Sequence, residues 1–371
     1  MSESPALAGP FRSHDPHPPL GTDPDRFFGF TAPGSQEWWY FDAVSQDGQD
    51  VLVVILYAAL PFDPAYGVGT LRHLANPAKY PAPLPLDHCA VGISWYREGK
   101  TLAYALNAFR SKDFVHQADP FSVCVAGNVV ERRDDGYHLH IETPAVDGRR
   151  AIEAELWFQP AASTRPFEIN LGDEARPHHW ILAAADCQVH GKVSLRGRTS
   201  RSLDFQGRGY HDHNAGIEDL TIAMKRWRWG RVHAGPWTTV YYHAEPHDAR
   251  EQSVLIHCLH GEPVEVLAHE EFHFDHHDWA RSTFGIVHER ELLLRAKCAE
   301  ATPCVARRHR HLVDAGPFYL RWVSDFDVQR DGRHWSARGI CEHLETRNLH
   351  RPLFNWMIPY RLKRPTPRHL A

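Results

Sequence analysis

The chain has 371 residues, 43% hydrophobic and 23% charged, with a formal net charge of -5. That balance is ordinary for a folded protein, and it excludes the strongly basic surface on which nucleic-acid binding rests. At this length a single hydrophobic core stops growing, so two domains are expected.

The first 36 residues carry Gly-Pro, His-Pro-Pro and Ala-Pro-Gly pieces and read as an extended arm. The N-terminus lacks a basic region followed by an apolar one, so no signal peptide is expected. The longest apolar run, 51–61, is too short to span a bilayer. Residues 37–44, an Asp47-Gly48 turn and residues 51–60 form a hairpin signal. The Pro-rich stretch 61–85 has no period of its own and reads as a loop that could lid a pocket. A second hairpin covers 88–96 and 101–109, and further strands are expected at 121–125, 137–142, 151–158, 180–185 and 189–196. Residues 218–229 are the one candidate helix or irregular crossing.

A second series of strands follows at 237–244, 254–260, 264–269, 291–299 and 318–327, closed by a hairpin through Asp331-Gly332 into 334–344. Twelve Trp, twelve Tyr and eighteen Phe against three Met agree with this strand-rich reading. No strict sequence repeat is visible. The expected fold is mainly β: an arm at 1–36, two consecutive antiparallel β domains at 37–195 and 196–360 with few helices, and a basic tail at 361–371. The domain junction is expected near 190–205. The tail's charges read as a solvated stretch that could also favour an anionic membrane surface. Seven cysteines (89, 124, 187, 258, 298, 304 and 341) form no C-x-x-C pair. They read as reduced thiols in a cytoplasmic protein, with peripheral contact at the inner membrane surface left open. The 28 histidines are read as mostly surface or satisfied core residues.

Just past the middle lies Gly207-Arg208-Gly209-Tyr210-His211-Asp212-His213-Asn214-Ala215-Gly216. In a strand, Tyr210, Asp212 and Asn214 would share one face and His211 and His213 the other. The alternative is a polar turn in which Asp and Asn bond their own backbone. No nucleophile elbow, Walker loop or complete dinucleotide glycine motif occurs. His211, His213 and Glu218 have the H-x-H-x4-E spacing of a first cupin motif, which would suit a divalent metal. The second cupin motif is missing, and the expectation is no metal and no cofactor.

The remaining chemistry is acid catalysis in an aromatic pocket. Trp180 precedes Asp212, and Trp227, Trp229 and Trp237 follow it. A carboxyl buried against aromatic rings keeps its proton to higher pH, and ring faces attract a cation. Protonation of an alkene needs both.

Trp38-Trp39-Tyr40-Phe41-Asp42-Ala43, Phe62-Asp63-Pro64-Ala65-Tyr66, Asp87-His88-Cys89-Ala90, the 209–216 block and Trp227-Arg228-Trp229-Gly230-Arg231 together resemble the carotenoid 1,2-hydratases, or hydroxyneurosporene synthases. The resemblance covers most of 35–345. It implies two lipocalin-like β-barrel domains, in a wider group that includes pericyclases. It also implies addition of water to the terminal isoprenoid double bond of an acyclic carotenoid, without cofactor or metal. It further implies Asp212 as the acid, Tyr210 beside it, and His178 and Trp180 as the matching His-x-Trp pair. His211 and Asn214 are then expected to order hydrogen bonds around the carboxyl and water, and Trp39, Trp227, Trp229 and Trp237 to line the substrate's pocket. The partner implied is a lipophilic small molecule. A cyclase or pericyclase acting on a polyene, and a non-catalytic carrier, remain open alternatives.

Overall fold

The computed structural model describes residues 23–172, 174–198, 200–247, 251–297 and 305–365. Most of the arm (1–22), Cys298, Cys304 and the last six residues of the tail therefore lie outside the described residues.

Two antiparallel sheets, one of twelve strands and one of nine, make up the protein. Each is a meander in which the first strand in the chain pairs with the last. In the twelve-stranded sheet Gln36–Ser45 pairs along its length with Arg201–Gly216. In the nine-stranded sheet Met224–Ala234 pairs with Arg333–Glu345. Counting outward from that closing pair, each sheet runs four strands in chain order on one side and the later strands in reverse order on the other, with Phe167–Asn170 off this path in the first. The sequence shows no repeat, yet the topology repeats, as the two-domain lipocalin-like reading requires. The sheets change over between Gly216 and Met224 rather than at 190–205. The expected junction falls inside a long hairpin, His178–Arg196 against Arg201–Gly216, because two segments read as separate strands are one continuous strand.

Strand alternation sorts most of the buried apolar residues into three large cores, beside a small cluster of Ile286, Leu320 and Trp322. Trp39, Phe41, Leu52 and Val54 fill the interior of the first sheet. Val232, Tyr241, Leu255 and Leu292 fill that of the second. Between the sheets a third core takes the other faces: Trp38, Tyr40, Trp180, Tyr210, Trp227, Trp229, Tyr242 and Ile340. Asp42, two residues on from Tyr40, reaches across this layer to a buried ion pair with Arg231. Arg208 donates to the carbonyl of Gly235 at 2.7 Å, a second polar tie between the sheets.

Two local expectations are corrected. The stretch 61–85 contains a helix, Pro64–Ala75, started by Asp63, which accepts from the Ala65 N–H at 3.0 Å, and by Pro64 in the first turn. The region 218–229 is helical only over Leu220–Ala223, and Trp227 and Trp229 lie on a strand.

Candidate active site

The 207–216 block forms the end of the strand Arg201–Gly216, not a polar turn. Its glycines serve close approach rather than bending: a Cβ on Gly207 would stand 2.1 Å from the Val44 carbonyl oxygen on the neighbouring strand. With the strand pressed against Gln36–Ser45, alternation decides every neighbour. Tyr210, Asp212 and Asn214 face the inter-sheet layer, and His211 and His213 face the interior of the first sheet.

Asp212 is 4% exposed and accepts three hydrogen bonds. Trp180 Nε1–H and the Tyr210 hydroxyl donate to Oδ2 at 3.0 and 2.9 Å. The Asn214 amide donates to Oδ1 at 2.9 Å. Three donors favour the carboxylate, but burial outweighs them and pushes its pKa up to about 8. The acid is therefore predominantly protonated at neutral pH.

Asp212 and Asn214 open onto a cavity of about 130 Å³ between the sheets. Trp38 and Tyr40 from the first strand, Trp227, Trp229 and Tyr242 from the second sheet, and Phe62 and Phe318 form its aromatic walls. One wall is polar. Arg321 holds Glu342 Oε1 at 2.9 Å and donates to the Tyr96 hydroxyl at 3.0 Å, and Arg361 pairs with Asp314 at 2.6 Å. Close to this wall lie the buried hydroxyls of Tyr40 and Tyr319, beside the carboxylates of Asp42 and Glu342 respectively.

The expected residues separate into four groups. Asp212, Asn214, Trp227 and Trp229 line the cavity. Trp180 and Tyr210 stand behind Asp212 as its hydrogen-bond donors, with Trp180 packed 5.2 Å from the Tyr242 ring. His178 borders a smaller neighbouring pocket with Gln36. Burial, and secondarily the charge of His179, depresses the His178 pKa to about 4, so its ring is neutral at pH 7.

His211, Trp39 and Trp237 belong elsewhere. His211 stacks on Phe41 at 3.8 Å and places its ring nitrogens against the Tyr40 carbonyl (2.9 Å) and Asp25 (2.7 Å). Trp39 stacks on His213 at 4.8 Å inside the first sheet. Trp237 lies beneath the Arg330 guanidinium, 5.0 Å away. Each stands on the strand face turned away from the cavity, whereas Trp38, Tyr40 and Tyr242, none of them expected in the pocket, face it. The period of two applied to Trp38-Trp39-Tyr40 could have raised this choice of face, though only strand pairing resolves it. The cupin-like trio is not assembled, because His211 and His213 are engaged by Asp25 and Glu37. Among the described residues no group of three His, Cys, Asp or Glu could hold a metal ion.

Comparison with known proteins bears on this geometry. The family model for carotenoid hydratase CrtC matches residues 80–370. The chain belongs to that family. A Chlorobaculum tepidum relative named hydroxyneurosporene dehydrogenase is 27% identical over 90% of this chain and 88% of its own. The acyclic carotenoid 1,2-hydratase of Thiocapsa roseopersicina is 31% identical over 60% of this chain, which spans about half of that protein (52%). Among solved structures, a Nitrosomonas europaea protein assigned as an AttH superposes with a TM-score of 0.57 at 15% identity, covering 92% of this chain and 98% of that one. Kievitone hydratase of Nectria haematococca gives 0.53 at 11% identity, over 85% and 91%. At these identities the structural likeness establishes the lipocalin-like fold alone. In this carotenoid hydratase family member, Trp38, Tyr40 and Asp42 of one motif, Tyr210, Asp212 and Asn214 of the second, and Trp227, Trp229 and Arg231 of the third all turn into the layer between the sheets.

Proposed function

We propose that the protein hydrates a terminal isoprenoid double bond of an acyclic carotenoid or related polyene by acid catalysis, through a tertiary carbocation and without a cofactor. The observation that carries this reading is a buried carboxyl, its pKa raised by burial, on the wall of an aromatic cavity. Oδ2 already accepts from Trp180 and Tyr210, which fills its lone-pair directions, so the transferable proton belongs on Oδ1. Oδ1–H donates to the less substituted alkene carbon, the π pair forms the new C–H bond, and the positive charge develops on the tertiary carbon.

The faces of Trp38, Trp227, Trp229 and Tyr242 then surround that charge, each worth about 0.5–2 kcal/mol when desolvated. Asp212, now ionised, is held by its three donors, each a charge-assisted bond worth about 1.5–3 kcal/mol. Water adds to the cation, and its surplus proton returns to Asp212, which restores the acid. The polar wall at Arg321 and Glu342, with the Tyr40 and Tyr319 hydroxyls beside it, supplies partners for such a water. This favours hydration over cyclisation, which must keep water from the cation.

Asp212→Asn tests the reading. Turnover of an acyclic isoprenoid should fall about a hundredfold or more while β circular dichroism is unchanged. Near-normal turnover in the folded variant would remove Asp212 from the mechanism.

A further inference from the structure

In a chain of net charge -5, residues 346–365 contain Arg347, Arg351, Arg361, Lys363 and Arg364 and no Asp or Glu. This stretch leaves the second sheet after Glu345, makes the short helical turns Pro352–Asn355 and Ile358–Tyr360, and ends on the first sheet through a bridge between Lys363 and Asn107. It is a strap across the two sheets. Arg361 fastens it to Asp314 at 2.6 Å, Arg364 to Asp63, and Phe354 packs edge-on to Phe284 at 6.4 Å.

The strap has two unlike sides. Ile358, Arg361 and Leu362 form part of the cavity wall. Leu353, Tyr360 and Trp356 face solvent at 71%, 68% and 62% exposure, the three most exposed large apolar side chains among the described residues. Arg351 and Lys363 have no acidic partner within 4 Å among the described residues, so their charge is available to a partner. Trp and Tyr beside Leu, with uncompensated Arg and Lys, is the composition that sits at the headgroup level of a bilayer.

We propose that this strap docks the protein on an anionic lipid surface, placing the cavity one strap's thickness from the layer in which a long hydrocarbon dissolves. The proposal rests on the reading of a lipophilic substrate. A second copy of the chain is the less suitable occupant, because two uncompensated basic surfaces repel.

The test is co-sedimentation of the full chain with phosphatidylcholine vesicles, with and without phosphatidylglycerol. We expect binding to the anionic vesicles, weakened about tenfold or more in Leu353→Ala/Trp356→Ala/Tyr360→Ala. Arg351→Glu/Lys363→Glu should weaken it by about fivefold or more for each charge. All three side chains and both charges are outside the cavity lining, so turnover in detergent micelles should be unchanged in both variants. Equal binding to neutral and anionic vesicles, or wild-type binding by the triple variant, would overturn the proposal. So would a halved mass in sedimentation velocity on making the triple variant, which would assign the face to a dimer. If vesicle binding holds while wild type turns over no polyene in micelles, the functional reading fails and the docking surface stands.

Discussion

A carboxyl kept protonated by burial must cost stability, and the cost can be worked out for Asp212. Its pKa is raised from 3.8 to about 8 by burial. The folded state therefore holds this proton over a range in which the unfolded chain has lost it. The associated stability is full below pH ~3.8 and declines as pH rises toward ~8. At pH 7 the difference amounts to about 4 kcal/mol at ~1.36 kcal/mol per unit, an upper bound given the residual structure of unfolded chains. Asparagine at this position carries no such cost. Its Oδ1 can accept from Trp180 and Tyr210 as Asp212 Oδ2 does, and its amide N–H can meet Asn214 once that side chain turns its oxygen inward. Asp212→Asn should therefore melt several degrees higher than wild type at pH 7.5, and the gap should close as pH falls toward 4. Melting both proteins from pH 4 to 8 by circular dichroism gives the difference curve, in which the titrations of all other groups cancel. A flat difference, or a variant less stable at every pH, would refute the claim that Asp212 is buried as a neutral acid.

Tyr210→Phe removes one donor to the carboxylate, so the alkaline limb of kcat/KM should move up by about one pH unit (~1.5 kcal/mol); an unmoved limb would separate Tyr210 from the acid. Asp25 is the contrasting case, because burial raises its pKa but His211, Arg132 and Tyr137 outweigh burial and hold it at about 2. Its stabilisation is present above pH ~3.8 and is lost as pH falls toward ~2. Asp25→Asn should lower the stability at pH 7 by about 3–5 kcal/mol, with turnover retained below the melting temperature.

Much of the site was legible because its chemistry lies on one strand. Five polar residues in a row, sorted by a period of two, correctly separated Tyr210, Asp212 and Asn214 from His211 and His213. The aromatic walls were harder to read. Trp38 and Trp39 are adjacent, identical and both buried, and only the pairing of 36–45 with 201–216 decides which faces the cavity. Trp237 fails for the same reason: proximity in sequence to Trp229 says nothing about which face of the next strand it occupies. Asp25 was hidden in a Pro-rich arm read as an extended lead-in, although it anchors His211 from 186 residues away. The polar wall at Arg321 and Glu342 had no signal, since a cross-strand ion pair far from the motifs looks like any solvated charge. The helix at 64–75 was missed despite its Asp63-Pro64 start, because glycines at 67 and 69 and weak periodicity masked it.

The central claim is that Asp212 protonates an alkene and that water captures the resulting cation. It is tested most directly by incubating the protein with an acyclic carotenoid such as neurosporene or lycopene in oxygen-labelled water and weighing the product. The account predicts a tertiary alcohol one water heavier than the substrate, with the labelled oxygen on the tertiary carbon and no such product from Asp212→Asn. An isomer of unchanged mass without label, or substrate returned intact, would contradict it.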